Sequence, residues 1–404
     1  MIIDIHSHPS LKIYLFEDST FSVDISGEYN TSKGINFLPL QTNLPDMRKG
    51  NLRALITAHY IPEMGILRES SFINGASKVF KLFWKKLLEK IETAETGQKI
   101  FDQTLSSISI FEKHIAASGS KNANAIIAHS RSELQQFLSK GKTVFLHSVE
   151  GAHSLGRNTS GNLRTEDYLE KLDIFFDKGV CLLTLGHFYD NDLVSPTEGI
   201  PPSQRLALNK HKQKDLSGGL TQTGEEVVRQ MISKGMLIDL VHSAPEARKR
   251  ILEINNEYGS NKRPIIYSHS GVQALFDNDK YPGDKYYSPD DSEITEIKNC
   301  NGVIGIVFMN YWLSGRDDTI FINDTARRYI LDTIQYIRKL TGSYDNIAIG
   351  TDFDAINNPA DDLYNHSFIP QLCEYLSVNG IPDSAIEKIT SANALRILHD
   401  GWGK

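Results

Sequence analysis

Two histidines separated by one residue, His6-Ser7-His8, open the chain, and a scattered set of His, Glu and Asp side chains follows at Glu150, His187, His242, His269 and Asp352. In an extended strand, residues two apart point to the same side, so His6 and His8 present two imidazoles from one rigid segment. Imidazole nitrogens with a carboxylate are the donors that bind borderline divalent ions such as zinc. Glu150 has two oxygens and could bridge two such ions, with His242 and His269 supplying further nitrogens. Asp352 is a carboxylate suited to moving a proton. The chemistry this set implies is metal-assisted hydrolysis.

These residues share a local setting. They close six of eight short apolar runs, 2–8, 52–59, 143–150, 180–187, 236–242, 265–269, 303–310 and 347–352, of which 52–59 and 303–310 end on His59 and Asn310. Continuous Val/Ile/Leu-rich runs mark strands buried on both faces, and eight of them separated by helical patterns predict an α/β fold of the (β/α)8 TIM-barrel type. All strand ends in that fold open on one mouth, so the His-bearing ends and the Glu-bearing end would converge there. An isolated strand-end histidine is more often a hydrogen-bonded structural residue, and His59, His147 and His153 are read that way. The paired His6 and His8, joined by Glu150, His242, His269 and Asp352, exceed what packing requires.

The 404 residues, 40% of them apolar, suit a single barrel domain over 1–404 with insertions at about 9–50 and 190–220. Residues 9–50 carry Gly, Asn, Ser and Pro without periodicity and are expected to form a long irregular excursion over the mouth. Pro196, Pro201, Pro202, Gly199, Gly218 and Gly219 mark a second mouth-side loop of the kind that acts as a lid. Helical spacing predicts helices over 76–118, with Val79, Leu82, Phe83, Leu87 and Ile91 on one face, and from Thr165, Thr223, Pro245, Asp324 and Ile369. Thr223 with Glu226 reads as a capping box, and Gly235 as a helix stop.

A net charge of −7 argues against a nucleic-acid partner. Cys181, Cys300 and Cys373 are too few and too scattered for a disulfide framework, which suits a reducing compartment. Met1 leads directly into the first strand, with no basic, cleavable leader and no apolar run of membrane-spanning length, so a cytoplasmic enzyme is expected. Its expected partner is a small molecule, neither nucleic acid nor membrane, with a homodimer left open.

The residues also carry a resemblance. Residues 219–242, ending in Met236-Leu237-Ile238-Asp239-Leu240-Val241-His242, resemble a helix–strand–histidine segment of the membrane (renal-type) dipeptidase family, peptidase family M19 of the amidohydrolase superfamily. Val149-Glu150-Gly151-Ala152-His153 is similar to that family's metal-bridging glutamate motif, and Leu183-Thr184-Leu185-Gly186-His187 to its substrate-contacting histidine motif. Ser268-His269-Ser270 resembles the second-metal histidine, Gly350-Thr351-Asp352-Phe353-Asp354 the catalytic aspartate, and residues 386–396 the closing helix.

The resemblance implies a binuclear, zinc-dependent dipeptidase. His6 and His8 would hold one ion and His242 and His269 the other, with Glu150 bridging, and a metal-bridging hydroxide would attack the amide carbonyl. His187 would bind substrate and hydrogen-bond the developing oxyanion, while Asp352 passes the water's proton to the leaving amine. Two departures stand out. The family has His-x-Asp where this chain has His6-Ser7-His8, and the arginine that would hold a dipeptide's carboxylate is absent from residues 270–292. Lys280, Lys285 and Arg316 are the candidate substitutes. The alternatives are another small-molecule amidohydrolase (N-acyl amidohydrolase, lactonase or deaminase) and a non-catalytic binding barrel.

Overall fold

The computed structural model describes residues 1–17, 25–26, 40–63, 65, 97–119, 124–158, 163–202, 205, 216–316, 326–355 and 362–403. The strands are β1 (Ile2–Ser7), β2 (Leu52–His59), β3 (Ala125–Ile127), β4 (Thr143–Glu150), β5 (Val180–Thr184), β6 (Leu237–Asp239), β7 (Ile265–Ser270), β8 (Val303–Ile306) and β9 (Ile347–Ile349). All pair in parallel, and β1 joins β9 on one side and β2 on the other, while β2 pairs directly with β4. Eight strands therefore close a barrel. The ninth, β3, was not expected: it pairs only with the first residues of β4, along the edge that β5 occupies further on. Its three residues are too short to show a period.

Helices of eight residues or more are α1 (Pro9–Phe16), α2 (Gly97–Gly119), α3 (Arg131–Ser139), α4 (Thr165–Asp177), α5 (Gln222–Lys234), α6 (Pro245–Glu257), α7 (Asp291–Asn299), α8 (Ala326–Thr341), α9 (Ile369–Val378) and α10 (Asn393–Gly401). Strand alternation sorts the apolar residues into two clusters. On β4, Val144 and Leu146 face inward with Ile3, Ile56 and Ile266, whereas Phe145 and Val149 face outward to the helices with Phe111 and Phe175. Ala394, Ile397 and Leu398 of α10, followed by Trp402, pack with Leu237, Val303 and Ala348 at the strands' N-terminal ends. The closing helix thus plugs the end opposite the mouth.

Several expectations are corrected. The segment after β1 is not irregular throughout: Pro9 starts α1 at once, its missing N–H costing nothing in a first turn. The capping threonine of α5 is Thr221, which accepts from the Gly224 amide at 3.0 Å, while the Thr223 hydroxyl meets Thr165 instead. Gly235 does end that helix, in the left-handed conformation at φ 77°. The apolar face proposed over Val79, Leu82, Phe83, Leu87 and Ile91, and Asp324, lie outside the described residues. Cys181 and Cys300 are buried and unpaired, and Cys373 is half-buried and unpaired. Among the described residues no helix is long and apolar enough to cross a membrane.

Candidate functional site

β1 delivers His6 from its own ladder and His8 just past its end, where the His8 amide donates to Phe353 and the Asp352 amide donates to His6. β4 ends on Glu150 and β7 carries His269. His187, His242 and Asp352 are not strand residues as expected: each sits three positions beyond its strand, after Thr184, Asp239 and Ile349. His242 and Asp352 adopt left-handed backbone at φ 65° and 59°, which takes the chain off the ladder and turns the side chain over the mouth. Such conformations are costly for non-glycine residues and concentrate at functional sites. Gly199 makes room for this turn, since a Cβ there would lie 2.4 Å from His242 Nδ1.

The seven side chains meet at one place and are all buried. His6 Nε2 and His8 Nε2 are 3.1 Å apart and lie 3.4 and 3.2 Å from the two oxygens of Glu150. His242 Nε2 and His269 Nε2 are 3.3 Å apart and lie 3.5 and 3.7 Å from Glu150 Oε1. Asp352 Oδ1 stands 3.3 Å from His8 Nε2, and His187 Nε2 3.7 Å from Glu150 Oε2. Burial holds His242 down to about 4 and His269 well below the ordinary imidazole range, so both offer lone pairs. Burial also opposes charge on His6, but Glu150, with Asp352 and Asp239, outweighs it and pushes His6 up to about 9. Four imidazole nitrogens crowd around one carboxylate, and Nδ1 of His6, His8 and His242 has no hydrogen-bond partner. This donor set fits divalent cations, two pairs of nitrogens flanking a shared carboxylate.

A surrounding layer fixes these rings. The Ser268 hydroxyl donates to Asp239 at 2.6 Å, so it must accept from Nδ1–H of His269, 2.8 Å away, leaving Nε2 of that ring bare toward the mouth. Glu63, missed in the sequence, accepts from His187 Nδ1 at 3.0 Å and from the Phe188 amide at 3.1 Å, and is bonded by the Tyr60 hydroxyl. Nothing marked it, because it follows β2 in a loop without a recognisable pattern. Burial opposes its charge, yet His187 and His153 hold its carboxyl far below the usual range. Glu63 and Glu150 in turn raise His187 against the effect of burial.

The cavity above is lined by His8, Glu150, His187, His242, His269 and Asp352, with Phe188, Tyr287, Met309 and Trp312 forming apolar walls. Among the described residues its lining contains no Lys or Arg. The candidate substitutes Lys280, Lys285 and Arg316 are not in that lining. The amines of Lys280 and Lys285 lie over the rings of Tyr281 and Tyr286, and Arg316 is exposed 3.9 Å from Asp277. His59 bonds Ser107 and His147, and His153 bonds the Ile61 carbonyl.

Comparison with known proteins agrees with this geometry. A family model described as membrane dipeptidase (peptidase family M19) matches residues 1–401. Dipeptidase tcpJ of Claviceps purpurea is 26% identical over 274 residues, 68% of this chain and 55% of that protein. Dipeptidase ataJ of Aspergillus terreus is 23% identical over 376 residues, 91% of this chain and 78% of its own. The chain spans only 51–59% of the length of tcpJ and two further curated dipeptidases. A metallopeptidase from Rhodobacter sphaeroides, crystallised with a phosphinate mimic of the dipeptide L-Ala-D-Ala, superposes with a TM-score of 0.71 at 14% identity, covering 99% of both chains. At that identity the likeness speaks for the fold.

Proposed function

The chain belongs to the membrane dipeptidase family, peptidase family M19, and on that premise we propose that it hydrolyses the amide bond of dipeptides at a binuclear metal centre. The observation that carries the reading is the convergence of His6, His8, His242 and His269 on Glu150, with Asp352 beside them. His6 and His8 would hold one divalent ion, His242 and His269 the other, and Glu150 both, with zinc the ion expected from this donor set. Such ions, when bound, supply Lewis-acid activation of water and of the amide carbonyl.

The chain's own residues do the rest. Asp352 Oδ1 is buried without a hydrogen-bond partner and is free to take a proton from the attacking water. It returns that proton to the amide nitrogen as the C–N bond breaks, so the amine does not depart as an anion. His187 donates through Nδ1 to Glu63, which leaves its Nε2 facing the cavity. As an imidazolium it carries an N–H there as well, and can stabilise the negative charge growing on the carbonyl oxygen, worth about 3 kcal/mol for one such donor. The relatives named as dipeptidases and the dipeptide mimic held by the Rhodobacter sphaeroides protein support this substrate class.

One observation favours a second reading: no Lys or Arg among the described residues lines the cavity to meet a substrate carboxylate. Another small amide or ester, cleaved by the same machinery, is the alternative. Metal analysis of the purified protein, with turnover of a dipeptide library set against N-acyl amino acids and lactones, tests both. Two divalent ions per chain and preferred cleavage of dipeptides are expected; metal-bound protein that ignores dipeptides and turns over another class overturns the dipeptidase reading.

A further inference from the structure

We propose that Glu112, His129 and His147 form a second cation site on the outer wall of the barrel, separate from the mouth. On β4 the alternation that sends Glu150 inward sends His147 outward, toward α2, with the ring of Phe111 6.5 Å from its own. Three residues separate His147 from Glu150, about 10 Å along a strand, and the two side chains lie on opposite faces. Glu112 comes from the middle of α2, and His129 from the turn between β3 and α3. Glu112 Oε1 lies 3.4 Å from His147 Nε2 and 3.8 Å from His129 Nε2, and the three donor atoms all fall within 4.8 Å of one another.

The contacts of both rings are compatible with ligation through Nε2. His129 Nδ1 faces the Lys178 carbonyl at 3.1 Å, a contact in which the ring can only donate, so its neutral form leaves Nε2 bare toward Glu112. His147 is wholly buried, and its Nε2 makes no hydrogen bond, while Nδ1 meets His59 Nε2 at 2.9 Å and His59 Nδ1 meets the Ser107 hydroxyl at 3.1 Å. With an ion bound, His147 Nδ1 would donate to His59 and His59 Nδ1 to Ser107, leaving the Nε2 lone pair of His147 for the ion, the outer support that metal-bound imidazoles normally have.

Gly179 seats the third donor. Its φ is +88°, and a Cβ there would lie 2.8–3.0 Å from the backbone and ring of His129. Two imidazoles and one carboxylate are the ligands of a three-coordinate protein site for a zinc-like ion, with water completing the shell. The side chains of His129 and Glu112 are 41% and 34% exposed, which gives the ion a way in. Once bound, it would tie α2 and the β3–α3 turn to β4.

The test is zinc equilibrium dialysis with metal analysis on the full chain, for wild type, His129→Ala, Glu112→Gln and the mouth variant Glu150→Gln/His242→Ala. Anomalous scattering at the zinc edge on wild-type crystals accompanies it. Expected are an anomalous peak between Glu112, His129 and His147, and one zinc equivalent fewer in His129→Ala than in wild type, with kcat on dipeptides within about twofold. The mouth variant should retain this equivalent, so failure of the mouth site and of this one read out separately. Equal zinc content in wild type and His129→Ala, or zinc-loaded crystals with no peak there, overturns the proposal; the crystal result stands even if a variant fails to fold.

Discussion

His187 Nδ1 lies 3.0 Å from Glu63 Oε1, and this single contact decides what the ring can offer the cavity. An ionised carboxylate only accepts, so Nδ1 must carry a proton, and Nε2, protonated as well when the ring is an imidazolium, is left for the substrate.

Glu63→Gln should therefore reduce turnover by roughly 10–100-fold, the usual cost of removing a group that orients a functional imidazole. Metal content should not change. Parallel kcat and metal measurements check this; a variant that sheds its metal would show that Glu63 supports the ions instead of the substrate.

Asp352→Asn and Glu150→Gln should part company. The first removes a proton carrier and should lower kcat by roughly 10²-fold or more while the metals stay. The second alters the carboxylate that faces all four imidazoles and should weaken both metal sites together. Retention of full metal content by Glu150→Gln would remove it from the ligand set.

Lys280→Met, Lys285→Met and Arg316→Met test carboxylate recognition from outside the cavity. Because none of the three lines it, the ratio of KM for a dipeptide to KM for its C-terminal amide should stay within about twofold of wild type. A rise confined to the free acid in any one variant would place that cation at the substrate.

Asp4 governs an acid response. It accepts from the His6 amide, Ser7 Oγ, the Thr351 amide and hydroxyl, and His366 Nε2. Burial opposes its charge, but His366, Ser7 and Thr351 prevail and hold its pKa below the unfolded value. A depressed carboxyl contributes stability that is present above the unfolded pKa, about 3.9, and is lost as pH falls through the folded value. Asp4→Asn should cost about 3–5 kcal/mol at neutral pH and flatten the loss of stability below about pH 4. Thermal melts of both proteins from pH 7 to pH 3 decide this, and parallel curves would assign the acid response to other groups.

The barrel was legible because its strands are buried on both faces and so appear as unbroken apolar runs. His6 and His8 were legible from their spacing, and Glu150, His242, His269 and Asp352 from their place after those runs. Three things escaped. Strand ends ran long because His187, His242 and Asp352 follow their strands in turns that composition does not mark. Glu63 and His147 act through partners distant in sequence, Glu63 with His187 and His147 with Glu112, and no local period encodes such a pairing. Lys280, Lys285 and Arg316 were chosen by proximity in sequence to a strand end, but side-chain direction decides what reaches a cavity.

The first strand of the chain is also the partner of its last barrel strand: β1 sits between β2 and β9, and Ser7 meets Thr351 across 344 residues. During synthesis, His6 and His8 emerge first and wait for almost the whole chain before the segment that bears Asp352 can close beside them. On the proposed reading, proton transfer by Asp352 would thus be withheld from every nascent chain that stops short of β9, and chemistry would switch on only as the ring shuts.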